Sequence, residues 1–168
     1  TVNGVSKGFA MTGWRVGYAA GPEHIIAAMA KHSSQFVSNV CTFAQKGAAL
    51  AYEDEAAFPA MMKEEFSKRF EIVCEAVERM PGIELPIKPQ GAFYAFLRVD
   101  NLIGKSYGKY TINSSQDFVN YLLEEFDVVT VQGEAFGAPG AFRMSFALDT
   151  EQLKKGLERI IQAATQLQ

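Results

Sequence analysis

The spacing of apolar positions changes along the chain, and each change predicts a different element. Between Pro59 and Met80, the residues Met62, Phe66, Phe70, Val73, Val77 and Met80 step by four, four, three, four and three. Lys63, Glu64, Lys68, Glu71, Glu75 and Glu78 occupy the other faces. One apolar stripe at that period predicts a long amphipathic helix, ended by Pro81-Gly82. Upstream, residues 13–20 have the β-branched and aromatic character of a short strand, stopped by Gly21-Pro22. A helix is expected next: Pro22 suits a first helical position, Glu23 favours the positive end of the macrodipole, and Ile25, Met29 and Phe36 recur at near-helical spacing. A second, Ala-rich helix is expected over residues 41–52.

Beyond Gly82 the elements become shorter. Strands are expected at residues 83–87 and 92–99, followed by a loop rich in Gly, Ser and Tyr, then a helix over 115–126. Ser114 and Asp117 approximate a capping box for that helix, and Phe118, Val119, Leu122, Leu123 and Phe126 give its buried face. Two further strands, 128–131 and 141–147, flank a turn-rich stretch at 133–140. A last helix starts at Asp149 or Thr150 and buries Leu153, Leu157, Ile160, Ile161 and Ala164. This order predicts an α+β layer, an antiparallel or mixed sheet with helices on one face. The strand at 13–20 has no partner legible in the sequence, so its sheet is expected to draw on residues upstream of Thr1. With no initiator Met, the chain reads as a fragment of something longer.

Composition narrows the classes. The 168 residues are 48% hydrophobic and 21% charged, which excludes disordered, collagenous and coiled-coil compositions. Sixteen basic against nineteen acidic side chains, with Lys68-Arg69 and Lys154-Lys155 beside acids, give no nucleic-acid footprint. The longest apolar stretches, such as residues 25–30, fall far short of the roughly 20 residues of a membrane span. Cys41 and Cys74 are too few and too far apart for a C-x-x-C site, and a reducing, cytoplasmic setting is the default. His24 and His32 share one predicted helix, with no ligand at metal-binding spacing, so no metal site is expected. Glu53-Asp54-Glu55 reads as a solvated helix cap.

The segment with chemistry in it is Ser6-Lys7-Gly8-Phe9-Ala10-Met11-Thr12-Gly13-Trp14-Arg15-Val16-Gly17. Lys7 sits in a predicted loop among small and apolar residues. A lysine amine becomes a Schiff-base former when an apolar pocket or a neighbouring cation favours its neutral state. Arg15, eight positions on, offers a permanently charged planar fork suited to phosphate. Eight extended residues span roughly 26 Å, so joint action on one small ligand requires the chain to fold back, a freedom that Gly8 and Gly13 supply. A surface lysine followed by an arginine snorkelling from an edge strand fits charge and spacing as well. Further on, Phe142, Met144 and Phe146 alternate on one strand face, so Arg143 and Ser145 point the other way; a solvent-facing arginine satisfies that pattern too.

Residues 4–17, G-V-S-K-G-F-A-M-T-G-W-R-V-G, resemble the pyridoxal-phosphate attachment signature of class I aminotransferases, the aspartate aminotransferase family of fold type I enzymes. Pro89-Gln90-Gly91-Ala92-Phe93-Tyr94, Gly133-Glu134-Ala135-Phe136-Gly137 and Ala141-Phe142-Arg143-Met144-Ser145-Phe146-Ala147 follow in the family's order. The resemblance covers the whole chain but only the C-terminal portion, less than half, of a family member. It implies an α/β to α+β architecture: residues 1–53 end the large cofactor-binding domain, 54–82 form a long linking helix, and 83–168 form a small α+β domain whose sheet is covered by helices.

The resemblance also implies roles. Lys7 would carry pyridoxal 5'-phosphate as an internal aldimine and shuttle the proton at the substrate Cα, Arg15 would hold the cofactor phosphate, and Arg143 would clamp the substrate α-carboxylate. The implied reaction moves an amino group between an amino acid, aspartate or a related common one, and a 2-oxo acid, with ping-pong kinetics. A cytoplasmic homodimer without nucleic-acid or membrane partners is the implied setting. The family often has a phosphate-binding Ser three positions before the lysine, where this chain has Gly4. The acidic partner of the pyridine nitrogen, the stacking ring and the upstream phosphate loop precede the lysine in the family. Alternatives stay open: a fold type I lyase or synthase, or a non-catalytic, self-associating module, with the fragment inactive alone.

Overall fold

Val5, fully buried, marks where the first segment closes on itself: its amide donates to the Val16 carbonyl at 3.3 Å. On one side of this closure β1 (Val2–Gly4) pairs antiparallel with β2 (Gly17–Ala19), Gly4 facing Gly17 across the ladder. In this computed structural model, which describes residues 1–53 and 57–168, the strand expected at 13–20 is thus only three residues long and finds its partner inside the chain, contrary to the expectation of a sheet built upstream of Thr1. The reason is Gly4, whose missing side chain lets the two backbones approach: a Cβ there would meet the Val16 carbonyl oxygen at 2.9 Å.

Within the closed loop lie α1 (Val5–Gly8), a single helical turn, and a 3₁₀ turn at Thr12–Trp14. Helix α2 (Glu23–Phe36) starts one residue later than expected, with Pro22 as its N-cap, and it buries none of its residues, Ile25, Met29 and Phe36 being exposed. Helix α3 (Thr42–Glu53) buries Ala44 and Ala48. Asp54 and Glu55 of the expected cap, and the expected domain boundary at 54, lie outside the described residues.

The chain divides into two compact units, Thr1–Lys63 and Glu64–Gln168, with the division inside α4 (Ala57–Glu78). Pro59 is tolerated there because it falls in the first turn, where its missing N–H has no helical partner to lose. In the second unit the stripe read from the sequence is the core-facing one: Val73 and Met80 are buried, and Phe66, Phe70 and Val77 pack against the core. Gly82, at φ +74°, turns the chain; a Cβ there would strike Leu102 Cδ2 at 2.6 Å.

The sheet of this unit is three antiparallel strands in the order β3 (Tyr94–Arg98), β7 (Ala141–Ser145), β6 (Val131–Gln132). Between β3 and β6, β4 (Ser106–Tyr107) and β5 (Tyr110–Thr111) form a separate hairpin. The strand expected at 83–87 shrinks to one bridge, Glu84 opposite Arg98. Ala95 and Leu97 face Met144 and Phe142 across the ladder, and all four are buried. Helices α5 (Ser115–Phe126) and α6 (Thr150–Gln166) supply Phe118, Leu122, Leu153, Leu157 and Ile160 to the same core.

The Ser114–Asp117 cap acts as expected, and Asp149, expected only as a starting point of the last helix, caps α6. Ser114 Oγ accepts from the Asp117 amide, Asp117 Oδ2 accepts from Asn113 N and from Ser114 Oγ, and Asp149 Oδ1 accepts from the amides of Glu151 and Gln152. One predicted core position of α5 is displaced: Leu123 is 48% exposed, and Tyr121 is buried in its stead, donating its hydroxyl to the Ala163 carbonyl. Burial pushes the Tyr121 phenol up to about 12. At the end of β3, Arg98 forms a forked pair with Asp100, Nε to Oδ2 at 2.6 Å and Nη2 to Oδ1 at 2.8 Å. No helix among the described residues is long and apolar enough to cross a membrane.

Candidate active site

Lys7 and Arg15 belong to the first unit and Arg143 to the second. In the first, Lys7 lies on α1, a helical turn where the sequence predicts a loop, and is exposed. The turn is fixed by the Val5–Val16 closure behind it and by Phe9 N and Met11 N donating to Val5 O. A cavity of about 410 Å³ opens beside it, lined by Asn3, Gly4, Ser6, Lys7, Gly8, Phe9, Tyr52 and Pro59. That volume lies in the range of small-molecule sites, roughly 300–1,000 Å³. Two of the lining residues are aromatic, Phe9 meeting Tyr52 edge-on at 4.8 Å, and beyond the lining Phe9 stacks near Phe58 at 6.4 Å and Tyr52 meets Tyr18 edge-on at 5.6 Å.

Gly4–Gly17 pairing closes the segment that carries Lys7 and Arg15 into one loop. Arg15 does not line the cavity beside Lys7. It is exposed, with Nη1 donating to the Thr12 carbonyl at 2.9 Å. Its backbone is left-handed at φ +55°, a conformation that costs an L-residue roughly 1–2 kcal/mol. Ala10 in the same loop is left-handed as well, at φ +53°. Non-glycine residues held in this region concentrate at binding loops. Next to Arg15, the Trp14 indole seats on α3 over Gly47, where a Cβ would come within 2.5 Å of Trp14 Cζ3.

The donors present suit an aldehyde phosphate: an amine at the mouth of a polar-rimmed cavity, and a guanidinium with only one of its five N–H groups committed within the loop. Gly4 explains the departure from the family's serine. Any side chain at that position would collide with β2, so no hydroxyl can be added there without moving the backbone.

In the second unit, Arg143 sits at the centre of β7, opposite Phe96 on β3 and Val131 on β6, on the sheet face away from Phe142 and Met144. It is half-buried. Its guanidinium carbon lies 4.3 Å from the Tyr94 ring centroid and 4.5 Å from that of Phe136. Among the described residues no carboxylate pairs with it. The sequence reading located Arg143 but missed both rings. Both rings belong to motifs legible in the sequence, Tyr94 to Pro89–Tyr94 and Phe136 to Gly133–Gly137.

The profile of the family "Aminotransferase class I and II" matches residues 1–160. A probable aspartate/prephenate aminotransferase of Rickettsia bellii is 40% identical over 168 residues, covering 99% of this chain and 42% of the relative. The aspartate/prephenate aminotransferase of Cereibacter sphaeroides is 42% identical over 161 residues, 95% of this chain and 40% of its own length. A crystal structure of the aspartate aminotransferase from Rhizobium meliloti superposes with a TM-score of 0.94 at 39% identity, over 100% of this chain and 42% of that one. The chain therefore spans about two fifths of the length of these relatives. With the family matching residues 1–160 and relatives matched almost from end to end of this chain, the chain belongs to the class I and II aminotransferases.

Proposed function

We propose that the whole protein is a pyridoxal-phosphate-dependent aminotransferase, moving an amino group between an amino acid, aspartate or a related common one, and a 2-oxo acid. The observation that carries this reading is the closed loop that sets Lys7 beside a cavity of small-molecule size and supplies Arg15 from the same segment. The names of the relatives support aspartate as the amino donor, with prephenate a candidate acceptor.

When bound, pyridoxal 5'-phosphate supplies an electron sink that lowers the cost of removing the substrate Cα proton. Lys7 would hold the group covalently through Nζ and, when freed by the substrate amine, would carry on Nζ the proton removed from the substrate Cα. Arg15 would hold the phosphate with the guanidinium N–H groups that Thr12 leaves uncommitted. Arg143 would receive the α-carboxylate on its planar fork. Two half-reactions through the same amine give ping-pong kinetics.

The resemblance supports a homodimer and a division into the end of a large domain (1–53), a linking helix (54–82) and a small domain (83–168). A cytoplasmic setting is supported by two free cysteines, Cys41 and Cys74. The test is an assay of the full-length protein with aspartate and 2-oxoglutarate. Oxaloacetate formation with a ping-pong pattern is the expected result; no oxaloacetate, with pyruvate and ammonia released instead from a β-substituted amino acid such as cystathionine, would assign the protein to the lyases.

A further inference from the structure

Phe136 is a large apolar ring left 47% exposed on a turn whose backbone has no freedom to move it. The turn, a 3₁₀ segment at Gly133–Phe136, opens on a glycine packed so tightly against the carbonyl oxygens of Ala138 and Ala141 that no Cβ could be added. It closes on Gly137 at φ +69°, with Gly137 N donating to Glu134 O at 3.1 Å and Ala138 N to Gly133 O at 2.9 Å. The Glu134 carboxylate ties it to the start of α5 by accepting from Ser115 Oγ at 2.6 Å, and Ser115 is fully buried. So much restraint around a ring that water still reaches is not needed for packing. What the ring does touch is Arg143, at 4.5 Å, with Phe96 meeting it edge-on at 5.9 Å.

Aromatic faces attract a guanidinium without using its N–H groups. A carboxylate in the same place would neutralise the charge and occupy the fork. Tyr94 and Phe136 therefore hold the cation in a fixed attitude while leaving its donors for a ligand. The geometry points to Phe136, assisted by Tyr94, as a positioning residue that pre-orients Arg143 for the substrate α-carboxylate. This rests on the reading of Arg143 as the carboxylate clamp. The ring touches no reacting atom, so it acts on capture and not on proton transfer.

The test is steady-state kinetics of the full-length holoenzyme with aspartate and 2-oxoglutarate, in the variants Phe136→Leu, Tyr94→Leu and Phe136→Tyr, beside Arg143→Ala. Phe136→Leu keeps an apolar side chain but removes the π face. KM for aspartate should rise roughly five- to tenfold with kcat within about twofold, and the visible absorbance of the bound cofactor should not change. Tyr94→Leu should act in the same direction, which keeps the test alive if one variant fails to fold. Phe136→Tyr, with the face retained, should restore KM to within about twofold of the parent. An unchanged KM in both leucine variants, a loss confined to kcat, or a Phe136→Tyr variant as impaired as Phe136→Leu would overturn the proposal. Arg143→Ala separates the two readings. If it raises KM strongly while the leucine variants do not, positioning fails alone; if it leaves KM unchanged, the clamp itself is wrong.

Discussion

Tyr94 and Arg143 are diagonal neighbours on adjacent strands, Tyr94 pairing with Ser145 and Arg143 with Phe96, and the guanidinium carbon comes to rest 4.3 Å from the phenol ring centroid. A strand places alternate side chains on one face, so this contact follows from register alone once β3 and β7 pair. Its cation has a ring at either contact and no acidic partner among the described residues.

Arg143→Ala in the full-length enzyme is expected to raise KM for both the amino acid and the 2-oxo acid, lowering kcat/KM by roughly a hundredfold or more, since a charge-assisted forked contact is lost. Arg143→Lys should recover only part of that, because an ammonium cannot present two parallel donors. Steady-state kinetics with both substrates checks this, and an unchanged kcat/KM in the alanine variant removes the residue from the site.

Lys7→Ala is expected to reduce turnover by roughly a thousandfold or more, since one side chain is both tether and proton carrier. Borohydride reduction of the full-length protein after incubation with pyridoxal phosphate should leave a single stable adduct, located on Lys7 by peptide mass mapping. An adduct of equal yield in the Lys7→Ala variant would show the attachment point to be elsewhere.

Gly4→Ser restores the hydroxyl that many relatives of this family are expected to carry, yet here it should destabilise. Its Cβ would lie 2.9 Å from the Val16 carbonyl oxygen and 3.2 Å from Gly17 Cα, both backbone atoms that yield only if β1 and β2 separate. Overpacking of this kind costs about 1–3 kcal/mol. Thermal denaturation of the full-length protein should show a lowered Tm and weakened cofactor retention; an equal or higher Tm would mean the hairpin relaxes freely.

The Arg98 guanidinium holds the Asp100 carboxyl below its ordinary value of 3.8 through the forked hydrogen bond. A depressed carboxylate contributes stability above its unfolded value, and that contribution is lost as pH falls through the lower folded value. Asp100→Asn should therefore lower Tm slightly at pH 7, the pair being largely exposed. The difference should vanish once the pH is well below 3.8. A variant whose deficit persists unchanged at low pH would place the effect in packing against Gly140 instead, where the Asp100 carboxylate leaves no room for a Cβ.

What was legible in the sequence is what depends on near neighbours. The stripe through Phe66, Phe70, Val73, Val77 and Met80 sets the α4 face, and Ser114 with Asp117 sets the start of α5, because caps and helical periods act within four residues. Elements that need distant partners were less so. Residues 83–87 have strand composition, but only Glu84 finds a ladder position, and the pairing of β1 with β2 depends on a clearance at Gly4 that no propensity encodes. Tyr121 displaces Leu123 because the Ala163 carbonyl on α6 gives its hydroxyl a buried partner. The helical turn at Lys7 leaves no trace in the sequence because four residues are too few to show a helical period. Phe136 and Tyr94 escaped notice because their value lies in the arginine they flank, a relation between strands and not along one.

Trp14 is the sole tryptophan of the sequence, and its indole rests on α3 where Gly47 leaves space, one residue from Arg15. The 168-residue chain thus carries a built-in fluorophore at the edge of its lysine loop. Its emission wavelength and its quenching by iodide or acrylamide would track whether that loop is seated or lifted, with no label attached.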